Sequence, residues 1–227
     1  MFAVLQLGCG AHSFKRNDLK NSIDLRAKLE MAIFRIKELI NEEQKFIQIT
    51  TAVRKYLATS IRDLMQHGAR CFPRRNGSSN THIHAWEIIL EYYHLKNGEK
   101  FNSTPARKLS QSFNLDIAGA SPTSNKHNML CTIGNIISTH TPYKRSYDSH
   151  FKAFVCAALN SNKLVSWMSL IFQCSQIIKL HYYPWSYVVK TGFQDSLKSL
   201  DTLTSYKFDL PVDLAVRQFQ NIKDVFT

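Results

Sequence analysis

The sequence predicts an all-α protein: a single multi-helix domain preceded by an amphipathic helix. Three observations carry that prediction. Apolar residues recur three and four apart along most of the chain, the period of helices with one buried face. No alternating run of useful strand length appears, nor any internal repeat or low-complexity tract. With 227 residues, 44% of them hydrophobic and 20% charged, the chain can bury a real core and has an ordinary globular balance.

The first seventeen residues are expected to be disordered or an edge of the gene model. Phe2 to Ala11 is apolar and ends in small residues, but it lacks the basic segment of a signal peptide. Residues 18–44 hold the first amphipathic helix. Leu25, Leu29, Ala32, Ile36 and Leu39 step by four and three, the seam of a coiled coil, for about two heptads. Two readings follow: the end of a dimerising coiled coil, or a helix docked on the domain behind it. From residue 45 to 227 the pattern is one domain. Its first helix carries Ile49, Val53, Tyr56, Leu57, Ile61, Leu64 and Met65 inward and stops at Gly68. A polar loop over 74–80 precedes a helix from Ile83 to Leu95 that buries Trp86, Ile89, Leu90 and Tyr93. Thr104–Pro105 opens a short helix toward Phe113. Residues 114–124, with Gly119 and Pro122, form the longest connection and a candidate hinge. Asn125 to His140 packs Met129, Leu130, Ile133, Ile136 and Ile137.

The stretch from Ser149 to Leu210 organises the rest. Phe151, Phe154, Val155, Ala158 and Leu159 line one helix face, Asn160 to Asn162 is a polar stop, and Leu164, Trp167, Met168, Leu170 and Ile171 restart the period. Pro184 makes Tyr182 to Trp185 a corner with its aromatics packed inward. Phe193, Leu197, Leu200 and Leu203 mark a further helix, and Pro211 begins a terminal one bearing Leu214, Ala215, Gln218, Phe219 and Ile222.

Phe151, Phe154, Leu159–Asn160, Leu164, Trp167, Tyr183–Pro184–Trp185 and Phe208–Asp209–Leu210, with His67–Gly68 and Trp86…Tyr92–Tyr93 upstream, form a pattern that resembles the RUN domain of membrane-traffic adaptor proteins. The likeness runs from Ile49 to Phe226. The phrases from Pro105 to Phe113 and from Leu210 to Asp224 resemble the RUN-domain-containing protein 1 branch of that family. The resemblance implies an all-helical adaptor that binds other proteins, needs no cofactor and has no catalytic or metal-binding residues. It implies partners among small GTPases of the Rab or Rap type, or trafficking factors, at the cytosolic face of endosomal, lysosomal or autophagic membranes. It also implies a preceding coiled coil, hence a possible homodimer through the 18–41 helix.

Charge locates a candidate surface. Of the net charge of +12, the segment 51–146 carries +8, while 1–50 and 147–227 carry +2 each. An acidic partner or anionic lipid is therefore expected there. Arg54, Lys55, Arg62, Arg70, Arg74, Arg75, Lys144 and Arg145 are the candidate basic face. Lys144–Arg145 precedes a helix N-terminus, an unfavourable place for cations unless an anion lies nearby. Arg107 to Ser110 fits a basophilic kinase pattern.

Other chemistries find less support. His82 and His84, the closest of nine histidines, point apart at helical spacing, and no His-Glu-x-x-His, phosphate-cradling glycine loop or Gly-x-Ser-x-Gly occurs. Trp86, Tyr93, Phe113 and Trp167 fall on apolar faces rather than among exposed cations, which disfavours nucleic-acid stacking. Cys131, Cys156 and Cys174 lie in apolar runs and read as buried thiols. The runner-up to a GTPase effector is a scaffold that clasps a helical-bundle partner, such as fusion machinery, through the Leu25–Leu39 seam.

Overall fold

The computed structural model describes residues 11–42, 46–72, 81–105, 108–109 and 124–217. Of the hinge expected over 114–124 all but Ser124, of the kinase pattern Arg107 and Ser110, and the terminal stripe beyond Arg217 lie outside them. The chain opens with α1 (Ala11–Asn41). α2 (Phe46–Ala52) runs through a π-helical turn (Val53–Leu57) into α3 (Ala58–Gln66). Two-residue strands β1 (Cys71–Phe72) and β2 (Thr81–His82) pair antiparallel, Cys71 opposite His82. There follow α4 (Ala85–Leu95), α5 (Gly98–Asn102) and α6 (Asn125–His140). A 3-10 turn (Thr141–Tyr143) leads to α7 (Tyr147–Asn160), α8 (Leu164–Phe172), α9 (Ser175–His181), α10 (Tyr187–Thr191) and α11 (Gln194–Asp201). The fold is all-α, as its periodicity predicts.

α7 is the central rod. Phe151, Ala153, Phe154, Val155, Cys156 and Ala158 are all excluded from solvent, so the helix is apolar on more than one face. α3, the π turn, α4, α6 and α8 surround it. Trp86 and Trp167 flank Phe154, with ring centroids 6.4 and 5.5 Å away. Burial pushes the Cys156 thiol pKa up, while Cys131 and Cys174 are half-buried.

Two long-range ties explain the signature that marked the sequence. Gly68, at φ +69°, ends α3 in the left-handed region, and a Cβ there would lie 2.5 Å from Ser186 Cβ. The close approach lets Tyr183 N donate to Gly68 O at 3.0 Å and Arg70 N donate to His181 O at 2.8 Å. Buried Tyr182 donates its hydroxyl to Met65 O at 2.9 Å. Of the corner's aromatics only Tyr182 is buried; Trp185 is half-buried and stacks on exposed Tyr183. The second tie joins the end of α7 to a strap over 210–217. The Asn160 amide donates to Leu210 O and accepts from Leu210 N, both at 2.8 Å. Within the strap Val216 is buried and Leu214 exposed, the reverse of a stripe through Leu214, because residues 211–216 form turns rather than a helix.

α1 begins at Ala11, ahead of the expected start at Asp18. Its seam does not face a second chain. Leu29, Ala32, Ile36 and Leu39, with Ile33 beside them, belong to the core, and Leu25 packs on its edge. α1 lies against α2, the π turn, α3 and α11. A polar latch reinforces the packing: Arg26 pairs with Glu30 and donates to Ser199 Oγ at 2.6 Å and Asp195 O at 3.0 Å. The coiled-coil expectation is thereby corrected to a docked helix. A stripe two heptads long has one apolar face, and the domain's own helices cover it.

Candidate protein-interaction surface

Four of the six described residues of the expected basic face hold the domain together. Arg54 Nη1 donates to Pro211 O at 3.2 Å and contacts Cys156 Sγ at 3.5 Å. Arg145 Nη1 donates to Ala215 O at 3.2 Å. Both arginines thus clamp the strap. Arg62 bridges α3 to α7, 2.7 Å from Asp148 and 2.8 Å from Asp63. Burial opposes the Arg62 charge, but these carboxylates outweigh it and raise its pKa. Burial likewise opposes ionisation of Asp148, and Lys152 and Arg62 overcome it to hold its carboxyl below the usual range. Arg70 donates to Tyr182 O at 3.1 Å and lies over the Tyr183 ring. Lys55 and Lys144 are exposed. Arg74 and Arg75 lie outside the described residues.

The exposed apolar surface lies beside Lys55. A π-turn, closed by Ala58 N–H donating back to Val53 O, interrupts the rod of α2 and α3. Its wider turn puts Val53 and Leu57 inward and rotates Tyr56 outward, where 50% of its surface is exposed. A regular helix would bury Tyr56, as the sequence reading supposed. Across from it, α1 presents Met31 and Phe34, 71% and 63% exposed, on the side away from its buried seam. Between them lies a groove of about 790 Å³ with Ala32 and Ser60 among its lining. Lys28, Arg35 and Lys55 on its rim are matched by Glu30, Glu38 and Asp63, and Arg35 pairs with Glu38 at 3.2 Å. A smaller cleft shares Arg35 and Tyr56 and extends the surface to exposed Ile47. The groove is apolar with a balanced rim, unlike the cationic face that the charge count suggested. Exposed apolar surface of this kind makes the groove a candidate binding site. The missed signal was the pair Met31 and Phe34, which fall outside the seam of an otherwise regular amphipathic helix.

Half-buried His84 and buried His140 and His150 have structural roles. His84 caps α4: its Nδ1 accepts from Trp86 N at 3.0 Å while Glu87 accepts from His84 N at 2.7 Å. The rings of His140 and His150 lie tilted with centroids 5.3 Å apart, His150 beside Trp86, and each Nδ1 sits against the carbonyl four residues earlier. Among the described residues, no three of His, Cys, Asp and Glu converge as metal ligands. Among them too, no helix is long and apolar enough to cross a membrane.

An all-helical domain with an exposed apolar groove has the form of an interaction module, and comparison identifies its family. The RUN domain model matches residues 56–214, more than half of the chain, and this chain belongs to the RUN-domain family. It is 24% identical over 166 residues to human small G protein signaling modulator 3, and 23% identical to the bovine protein. The Xenopus laevis homolog is 22% identical over the same length. The match covers 73% of this chain and about a fifth of those relatives, 22% of the human and bovine proteins and 21% of the frog one.

Proposed function

We propose that this chain is a small-GTPase-linked protein-interaction domain without catalysis of its own, and that the groove between α1 and the π turn receives the partner. The observation that carries the reading is the trio Met31, Phe34 and Tyr56, exposed on rigid helices around one apolar groove. Family membership and relatives named as small G protein signaling modulators supply the class of partner. The finer proposal is a Rab- or Rap-type GTPase at the cytosolic face of endolysosomal or autophagic membranes. Because the rim charges balance, apolar anchors supply the affinity and added salt weakens binding only modestly.

The test is binding of the whole chain to Rab and Rap GTPases, each loaded with a GTP analogue or GDP. One GTPase binds preferentially in its GTP state. Met31→Asp and Phe34→Ala each weaken it by about 2 kcal/mol or more, roughly thirtyfold, the weight of an interface hot spot. Absence of nucleotide preference across the panel refutes the effector reading. Full binding by both variants refutes the groove.

A further inference from the structure

A second depression adjoins the groove and differs from it in chemistry. It is a cleft of about 400 Å³ between α2, the π turn, the first turns of α7 and the strap. Three cations line it, Arg54, Lys55 and Lys152, and no carboxylate does. Hydroxyl-bearing residues line it with them: Thr50 and Thr51 from α2, Thr59 from α3 and Ser149 from α7.

Two features show a built site rather than a solvated basic patch. The cations are held yet keep donors in reserve. Both contacts of Arg54 leave from Nη1, so Nε and Nη2 remain for another acceptor. Lys152 Nζ pairs with Asp148 at 2.5 Å, which occupies one of its three hydrogens. The second feature is Thr50, which is only 6% exposed yet has no hydrogen-bond partner for Oγ1. A buried, unpaired hydroxyl is costly, and although Oγ1 is sealed from solvent, turning the side chain of Thr50, a residue of the cleft wall, would let a ligand oxygen complete its bonding.

The surroundings indicate how that ligand arrives. Exposed Leu214 lines the cleft, and exposed Phe46 and Ile47 stand on the turn of α2 preceding Thr50 and Thr51. Apolar side chains beside a cationic, hydroxyl-lined cleft suit a surface that offers phosphate at its edge and hydrocarbon beneath it. We propose that this cleft binds the phosphate monoester of an anionic membrane-lipid headgroup, with Arg54, Lys55 and Lys152 neutralising it and Thr50 and Ser149 bonding its oxygens. The site is distinct from the protein groove, although Lys55 and Thr59 line both.

The test uses the whole chain and three vesicle compositions. They are phosphatidylcholine alone, phosphatidylcholine with a phosphatidylinositol monophosphate, and phosphatidylcholine with phosphatidylserine at matched surface charge. The phosphoinositide vesicles bind at least about tenfold more tightly than the charge-matched ones, the weight of a charge-assisted hydrogen bond. Lys152→Gln and Thr50→Val each remove roughly five- to tenfold of that preference. Exposed Lys179→Gln, on α9 away from the cleft, leaves it unchanged. Thr50→Val keeps or raises the melting temperature, so its loss of binding is not unfolding. Equal binding to charge-matched vesicles overturns the proposal, as does full binding by both cleft variants. Saturable binding of a soluble inositol phosphate with no vesicle binding overturns the membrane source.

Discussion

Leu29→Ala and Ile36→Ala distinguish a docked α1 from a dimerising one. Both side chains are completely excluded from solvent among α2, the π turn, α3 and α11. Truncating such a residue loses its transfer free energy and leaves a cavity, about 2–5 kcal/mol for Leu or Ile to Ala. In a domain of this size each kcal/mol moves the melting temperature by about 2–4 °C, so a loss of about 3 kcal/mol is about 6–12 °C. The assay is thermal and urea unfolding at two widely separated protein concentrations. The midpoint falls by that amount for either variant and is the same at both concentrations, since the packing is within one chain. Met31→Ala and Phe34→Ala, on the exposed side of the same helix, stay within about 0.5 kcal/mol of the parent. A midpoint that falls on dilution, or a negligible cost for Leu29→Ala, refutes the docked helix.

Three further predictions concern stability. Burial lowers the pKa values of His140, His150, His181 and His84; His150 and Arg54 reinforce it at His140 and Arg62 at His84, while Asp213 opposes it at His140, Glu91 and Glu87 at His181, and Asp148, Glu87 and Asp63 at His84. The unfolded chain therefore binds more protons than the folded one just below the free imidazole value of about 6.5. Stability is full above that pH and declines as pH falls through it, to be read as urea midpoints from pH 7.5 to 5. Gly68→Ala combines a left-handed φ with a Cβ 2.5 Å from Ser186 Cβ and costs more than the 1–2 kcal/mol or so of the backbone term alone; an unchanged melting temperature would contradict the corner geometry. Asn160→Ala removes both bonds to Leu210 and costs about 1–3 kcal/mol, and Asn160→Asp, which keeps the bond from Leu210 N but sets a carboxylate oxygen against Leu210 O, also lowers the melting temperature.

How much of this was legible depends on range. Helices with a strong apolar period appear where expected because burial of one face is a local pattern: Met129, Leu130, Ile133 and Ile136 of α6 are all in the core. Terminations set by unusual residues were harder to read. His84 serves as a cap, a role that serine or aspartate usually fills, and Phe193 adopts φ +61°, a conformation rare for a large side chain. The break at Cys174 between α8 and α9, and that at Gly192 between α10 and α11, divide what periodicity reads as longer helices. Tyr56 was misplaced because a π turn changes which residues share a face, and spacing cannot reveal it. The structural roles within the basic face were hidden for a different reason. A charge count records which residues are cationic, not what they meet, and Arg54 meets a carbonyl 157 residues along the chain.

If the proposed groove receives the partner, α1 is both a docked element and a recognition element. A free amphipathic helix would have to be ordered before it could present Met31 and Phe34, and that conformational cost would be subtracted from affinity. Here the inward face of α1 meets that cost during folding: Leu29, Ile33, Ile36 and Leu39 are locked in the core and Arg26 is latched to α11. The outward face then stands opposite Tyr56, itself turned out by a π turn whose flanking Val53 and Leu57 are buried. Binding energy from the three exposed side chains is opposed by little backbone ordering. It follows that Ile36→Ala, which touches no groove residue's exposed surface, should weaken the partner as well as the fold when it loosens α1. If partner affinity survives at a temperature where Ile36→Ala is still folded but α1 exchanges its amides freely, the groove is not built on a rigid α1, and recognition lies elsewhere on the domain.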